Sequence, residues 1–220
     1  MKKIFDIIFL FLISLSFAQT QDLTGNYTGD KLMQDLWFRS VFDMKIEDVQ
    51  GSPYLTKDFV SSKIGNEEGV VLTRYDIYHD NIEFVKDGKI MVLPKDKIYN
   101  DIVNLMDNSK IVLLSDGKYY FKIFTGSQYQ LLKKMSIKFQ DFQKAKSGYD
   151  NDKPAKFVNL SDKYFLLNGE TLSEISKNNK DFSNLFGDKS SFVLKYIKEQ
   201  KLKLSEEGDL IKIMKFVESH

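Results

Sequence analysis

Between Tyr129 and Phe139, Tyr129, Leu131, Met135, Ile137 and Phe139 fall on one side of an extended chain, and Gln130, Lys134, Ser136 and Lys138 on the other, with Leu132 the exception. A side-chain period of two is the period of a β-strand, and a strand with one apolar and one polar side belongs to an antiparallel sheet with a face toward water. The segments around it repeat the pattern between turn signals. Lys86-Asp87-Gly88-Lys89 and Ser115-Asp116-Gly117-Lys118 each place an Asp-Gly pair between apolar runs, the chemistry of a two-residue hairpin. His79-Asp80-Asn81 and Thr125-Gly126-Ser127 read as slightly longer hairpin loops. Strands are therefore expected near 74–78, 82–85, 90–93, 111–114, 119–124, 128–139, 156–160 and 163–168, with an earlier one at 41–49 that ends at Gly51-Ser52-Pro53. Consecutive hairpins make a meander, paired in chain order.

Two segments read less simply. From Lys95 to Asp107, Ile98, Ile102, Val103, Leu105 and Met106 fit a short helix as well as a strand. Residues 141–155 form a polar connection, either a domain linker or a loop crossing a sheet edge. Beyond Gly169 the period becomes helical. Asn179 is placed to cap a short helix carrying Phe182, Leu185 and Phe186, and Gly187 to stop it. Asp188 then opens a helix with Phe192, Val193, Tyr196 and Ile197. Ser205 caps a third, in which Leu210, Ile213, Met214 and Val217 form an amphipathic stripe and Glu206, Glu207 and Asp209 complement the helix dipole. The expected fold class is α+β: an antiparallel β-meander of about eight or nine strands over residues 19–168, followed by a small helical segment over 169–220, packed on or beside it.

The first eighteen residues have a different character. Met1-Lys2-Lys3 is a basic start, Ile7 to Leu15 is an apolar run, and Ser16 and Ala18 are the small residues a signal peptidase needs at its third and first positions before the cut. A run this short falls far below the ~20 residues required to span a bilayer, so residues 1–18 read as a cleaved signal peptide and the protein as exported, periplasmic or secreted. Cleavage would leave a chain without net charge, 30 basic against 30 acidic groups.

Composition excludes several chemistries. Only Arg39 and Arg74 carry a guanidinium, and with net charge near zero the chain is a poor nucleic-acid binder. It contains no Cys, which removes disulfides, thiolate catalysis, Fe–S clusters and Cys-based zinc sites; with His79 and His220 the only histidines, a three-histidine metal site is impossible. No cofactor and no metal is expected.

Gly51-Ser52-Pro53-Tyr54-Leu55, Arg74-Tyr75-Asp76-Ile77-Tyr78 followed by Ile82-Glu83-Phe84, Lys153-Pro154-Ala155-Lys156-Phe157 and the Lys-rich tail occur in that order. Together they resemble a group of secreted proteins of unassigned function from Bacteroidetes-type bacteria, over about residues 42–217. The resemblance implies an envelope location and one continuous unit, and it carries over no catalytic residue.

Candidate sites are few. Asp76, His79, Asp80 and Glu83 surround one hairpin and are oxygen and imidazole ligands of the type a divalent cation takes, but Asp80 and Asn81 stand where a turn itself asks for such residues, and the turn explanation is preferred. Arg74, inside a strand, fits a structural ion pair or a stack on tyrosine better than ligand contact. Tyr75, Tyr78, Tyr119, Tyr120 and Trp37 are placed to form a flat stacking surface for sugars or peptide chains, against the simpler account that sheets favour aromatic residues. No nucleophile motif is present, and paired carboxylates, the requirement of glycoside hydrolysis, are too common here to point anywhere. The expected function is thus a non-catalytic binding or interaction component of the cell envelope, with a protein or envelope polymer as partner; the alternative is a carboxylate-dependent hydrolase acting on an envelope polymer or glycan.

Overall fold

A computed structural model describes residues 49–145 and 150–220. The expected signal peptide, Trp37, Arg39 and all but the last residue of the strand expected at 41–49 lie outside them. The described residues form a mostly antiparallel β-structure with a small C-terminal helical segment, an α+β fold. Twelve strands lie among the described residues: β1 (Val60–Ile64), β2 (Val71–Asp76), β3 (Asn81–Lys86), β4 (Lys89–Val92), β5 (Asp101–Asn104), β6 (Lys110–Leu113), β7 (Tyr119–Thr125), β8 (Tyr129–Lys134), β9 (Ile137–Gln140), β10 (Lys156–Asn159), β11 (Lys163–Asn168) and β12 (Thr171–Glu174). Three helices follow: α1 (Asn179–Asn184), α2 (Ser190–Glu199) and α3 (Glu207–Glu218). No helix among the described residues is long and apolar enough to cross a membrane.

The strand count exceeds the eight or nine expected, and the pairing departs from chain order at two places, β5 beside β1 and β11 beside β8. The large sheet runs β12-β11-β8-β7-β6-β5-β1-β2-β3-β4, so β1 is a hub from which β2 to β4 lead to one edge. The chain then returns through Leu93 and a 3₁₀ turn at Lys97–Tyr99 to place β5 on the other flank of β1. Thus the ambiguous segment 95–107 holds both a helical turn and a strand. β1, with its polar Ser61, Ser62 and Lys63, shows no alternation to read.

The strand expected at 128–139 is two strands in two sheets. β8 pairs with β7 and β11, whereas β9 pairs with β10 in a separate two-stranded ladder that Gln50 joins through a parallel bridge to Lys156. Alternation continues through Met135, so periodicity alone cannot reveal that the partner changes. The polar segment 141–155 is the connection between β9 and β10, itself bridged at Gln143 and Lys153. Leu131 and Leu132 are both fully buried, because the helices cover one face of β8 and Phe165, Leu167 and Leu172 gather on the other.

Turn chemistry explains the hairpins. Asp87 and Gly88 have φ of 51° and 73°, the pair of positive values that a two-residue type I′ turn requires. At Asp116-Gly117 only Gly117 is left-handed, and Leu114 and Lys118 close a three-residue loop through the Leu114 N–H to Lys118 C=O bond, so this hairpin is one residue longer than expected. A further two-residue hairpin, Gly169-Glu170, leads into β12, which corrects the expectation that the helical region begins at residue 169.

In the helical segment Asn178, one residue before the expected cap, accepts the Lys180 and Asp181 N–H groups. Gly187, at φ +57°, ends the first helix as expected. Ser205 is not the cap of α3; Glu206 occupies that position without a side-chain bond. Leu210, Ile213, Met214 and Val217 are buried against Leu131 and Leu166 of the sheet and Val193 and Ile197 of α2. Phe192, placed by the sequence among the apolar residues of α2, is 66% exposed. α3 is tied to the sheet at both ends: Lys133 Nζ donates to Glu207 at 2.7 Å, and Glu218 accepts the Ser127 N–H and hydroxyl, both at 2.7 Å.

Candidate functional site

The sheet is rolled. Tyr75 of β2 meets Tyr119 and Phe121 of β7 edge-to-face, at 6.2 and 5.7 Å between centroids, although β1, β5 and β6 lie between them in the ladder. Inward side chains of β1, β2, β3, β5, β6 and β7, among them Ile64, Ile82, Ile102 and Ile111, fill the space so enclosed.

One end of the roll is closed by a charged clasp. Asp80, held at φ +56° in the β2–β3 turn, accepts the Tyr75 hydroxyl at 2.6 Å and the Lys134 ammonium on one carboxylate oxygen. Its other oxygen takes Lys95 and the Tyr119 N–H, each at 3.3 Å. Lys134 also donates to the Tyr119 carbonyl at 2.8 Å, and Lys95 to the Gly117 carbonyl at 2.9 Å. One turn carboxylate thereby joins the β2–β3 hairpin to β7 and β8. Burial pushes the Lys134 ammonium below the usual lysine range against the pull of Asp80, and burial, reinforced by Asp80, pushes the phenols of Tyr75 and Tyr119 up. The Tyr119 hydroxyl is buried with no hydrogen-bond partner among the described residues.

The candidate residues from the sequence are placed as follows. Tyr75, Tyr119 and Tyr120 are 4%, 1% and 3% exposed and belong to the core; Tyr120 bonds Asp116 at 2.7 Å. Tyr78 sits apart, half-exposed, against Phe157 and His79. Among the described aromatic residues the stacking strip is therefore not assembled at the surface. Arg74 donates through Nε and NH2 to Glu83 at 3.0 and 2.5 Å, gives a third bond to the Lys57 carbonyl, and lies over the rings of Tyr54 and Phe59 at 3.6 and 4.4 Å. It is at once an ion pair and an aromatic stack. The acidic residues around the hairpin diverge: Glu83 faces Arg74, Asp80 faces the two lysines, and Asp76 holds His79 through Nδ1 at 2.7 Å and its N–H at 3.0 Å. Among the described residues no three of these ligand types converge as a metal would require.

The opposite end of the roll is open. There the inward side chains leave a cavity of about 260 Å³, walled by Tyr75, Ile82, Ile102 and Ile111, with Leu55, Thr56, Asn104, Asp107 and Ser109 around its rim. In its wall Ser62 Oγ and Thr73 Oγ1, 1% and 3% exposed as residues, bond each other at 2.8 Å. Two other concavities lie beside Met135, lined by Ile77, the β8–β9 and β10–β11 connections and the adjoining ends of β9 and β10, and beside Glu67, lined by the β1–β2 turn, the 3₁₀ turn and the start of β5. The sequence does not disclose the mouth, because its walls come from five strands and the key pairing, β5 with β1, joins residues about forty positions apart. Comparison with protein-family models, with curated proteins and with solved structures finds no match.

Proposed function

We propose that this protein is an exported, non-catalytic binding component of the cell envelope, and that its binding site is the open mouth of the rolled sheet. The observation that carries this reading is the cavity itself: a concave space with apolar inner walls and a polar rim, set in the mouth of a rolled sheet, where ligand sites are commonly found. Binding is favoured over hydrolysis by the disposition of the carboxylates. Hydrolysis by a carboxylate pair needs two acids facing one substrate. Here Asp80 and Glu83 are neutralised by lysine and arginine, Asp76 engages His79, and Asp107, the single carboxylate at the mouth among the described residues, caps its own turn by accepting the Ser109 N–H at 2.9 Å. Export rests on the signal-peptide pattern of residues 1–18 and is checked separately: mass spectrometry of the exported protein is expected to find Gln19 as the first residue.

The test of function is a thermal-shift and ligand-observed NMR screen of small neutral compounds against the wild type and Thr56→Trp. Thr56 is an exposed rim residue, so the bulky ring covers the mouth without entering the core. Saturable binding to the wild type, lost in Thr56→Trp, is the expected result. Binding that survives in Thr56→Trp, or turnover of chromogenic ester or glycoside substrates, would overturn the proposal.

A further inference from the structure

Ser62 and Thr73 are the buried polar pair among the apolar walls of the cavity, whose rim carries the further polar residues Thr56, Asn104, Asp107 and Ser109. Each hydroxyl carries one donor hydrogen and two acceptor lone pairs, and their mutual 2.8 Å bond consumes one hydrogen and one lone pair. Among the described residues the remaining hydrogen has only the Val60 carbonyl within reach, at 3.5 Å from Ser62, the outer limit of a hydrogen bond. The pair therefore faces the cavity able to give one hydrogen bond and to accept others. Among the described residues no cationic side chain lines the cavity, and the one charge at its rim is the Asp107 carboxylate. The Ser109 N–H holds that carboxyl below its usual range, so it stays ionised and repels anions. The volume, about 260 Å³, falls just under the ~300 Å³ at which sites for drug-sized ligands begin.

From these facts we infer that the mouth takes a small uncharged molecule with an apolar body and a single hydroxyl or carbonyl head, the head docking on the Ser62–Thr73 hydroxyl pair and the body packing among Tyr75, Ile82, Ile102 and Ile111. The inference rests on the mouth being the binding site and goes further by naming the ligand chemistry. An anion of the same shape loses on two counts: its charge enters an apolar enclosure without a cation, and it passes Asp107 to do so.

Three probes of matched shape separate the possibilities: toluene, 4-methylphenol and 4-methylbenzoate. With wild-type protein, 4-methylphenol should bind at least about tenfold more tightly than either of the others, the factor that roughly one net hydrogen bond supplies. Ser62→Ala with Thr73→Val replaces both partners by apolar groups of similar shape, a change that costs little when made as a pair. That double variant should retain toluene binding and lose the phenol's advantage. Asp107→Asn keeps the turn cap and should narrow the gap between 4-methylbenzoate and 4-methylphenol; because Asp107 is exposed, this arm does not depend on the double variant folding. Equal affinity for phenol and benzoate, or a phenol advantage that survives the double variant, overturns the ligand class and leaves the mouth as a site. Failure of all three probes to bind at millimolar concentration overturns the inference together with the reading on which it rests.

Discussion

Replacing Asp80 by Asn isolates the charge that closes the roll. Asn tolerates the left-handed backbone at φ +56° nearly as well as Asp and keeps the side-chain shape, so turn geometry is preserved and only the negative charge is lost. What remains is the Lys134 ammonium, whose side chain is 14% exposed, facing a neutral amide. Removing one partner of a buried pair costs about 3–5 kcal/mol, because the other charge is left without compensation, and the residual exposure of both groups puts the expected loss near the lower end, about 3 kcal/mol. Lys134→Met removes the buried cation instead and leaves Asp80 with Lys95, the Tyr75 hydroxyl and the Tyr119 N–H; about 1–2 kcal/mol is expected. Combined with Lys134→Met, the change at Asp80 should cost only a further ~1 kcal/mol, so the double-mutant cycle yields a coupling of about 2 kcal/mol. Urea denaturation followed by far-UV circular dichroism measures all four proteins. The same cycle in about 0.5 M salt should retain most of the coupling, since buried pairs are little screened. Additive costs, or a coupling abolished by salt, would mean that Asp80 and Lys134 interact as surface charges and that the clasp does not close the roll.

Three other expectations follow from the packing and electrostatics. Ile213→Ala, at a fully buried position between α3 and the sheet, should lower stability by about 2–4 kcal/mol, while Phe192→Ala on the exposed side of α2 should change it by less than ~0.5 kcal/mol; equal denaturation midpoints for Ile213→Ala and wild type would contradict the assignment of α3 to the core. Glu218→Gln should cost about 1 kcal/mol through loss of a charged acceptor for Ser127, and because Glu218 is held below the usual range by those bonds, its contribution is present above the ordinary glutamate pKa and disappears as the pH falls through the lowered folded value; an acid-unfolding curve identical to wild type would refute this. At alkaline pH the phenols of Tyr54, Tyr75, Tyr119, Tyr120 and Tyr164 are all raised, Tyr164 to about 12, so the folded state keeps protons that the unfolded chain releases near pH 10; stability should be intact below that pH and fall steeply above it, outweighing the opposite contribution of Lys134, and a flat thermal midpoint between about pH 9 and 11 would count against the burial of these rings.

The legible part of the fold is the part governed by neighbours in sequence. Asp87-Gly88 specifies its hairpin because only those two residues need positive φ, and the stripe Leu210, Ile213, Met214 and Val217 is buried because a helix brings i, i+3, i+4 and i+7 to one face. What escapes sequence reading depends on distant partners. β1 has no alternation because Ser62 is buried through Thr73 rather than by apolarity, and the switch from β8 to β9 leaves the period of two unbroken. Among the candidate residues, Arg74 carries both of the structural roles its position in a strand suggested. Aromatic content in strands leaves both a stacking surface and a simple sheet preference open, and rolling of the sheet decides for the interior by turning Tyr75 and Tyr119 toward each other. The mouth was invisible, since Ser62, Thr73, Ile82, Ile102 and Ile111 share no motif and meet only after the roll has formed.

Binding as proposed requires above all that a ligand enter at the mouth. The most direct measurement is a titration of protein carrying ¹³C-labelled isoleucine methyl groups with 4-methylphenol, read by methyl NMR. Shifts that saturate and are confined to Ile82, Ile102 and Ile111, with Ile197 of α2 and Ile213 of α3 unmoved, are the predicted result. Saturating shifts centred on the helical cluster, or no shift at any isoleucine, would contradict it.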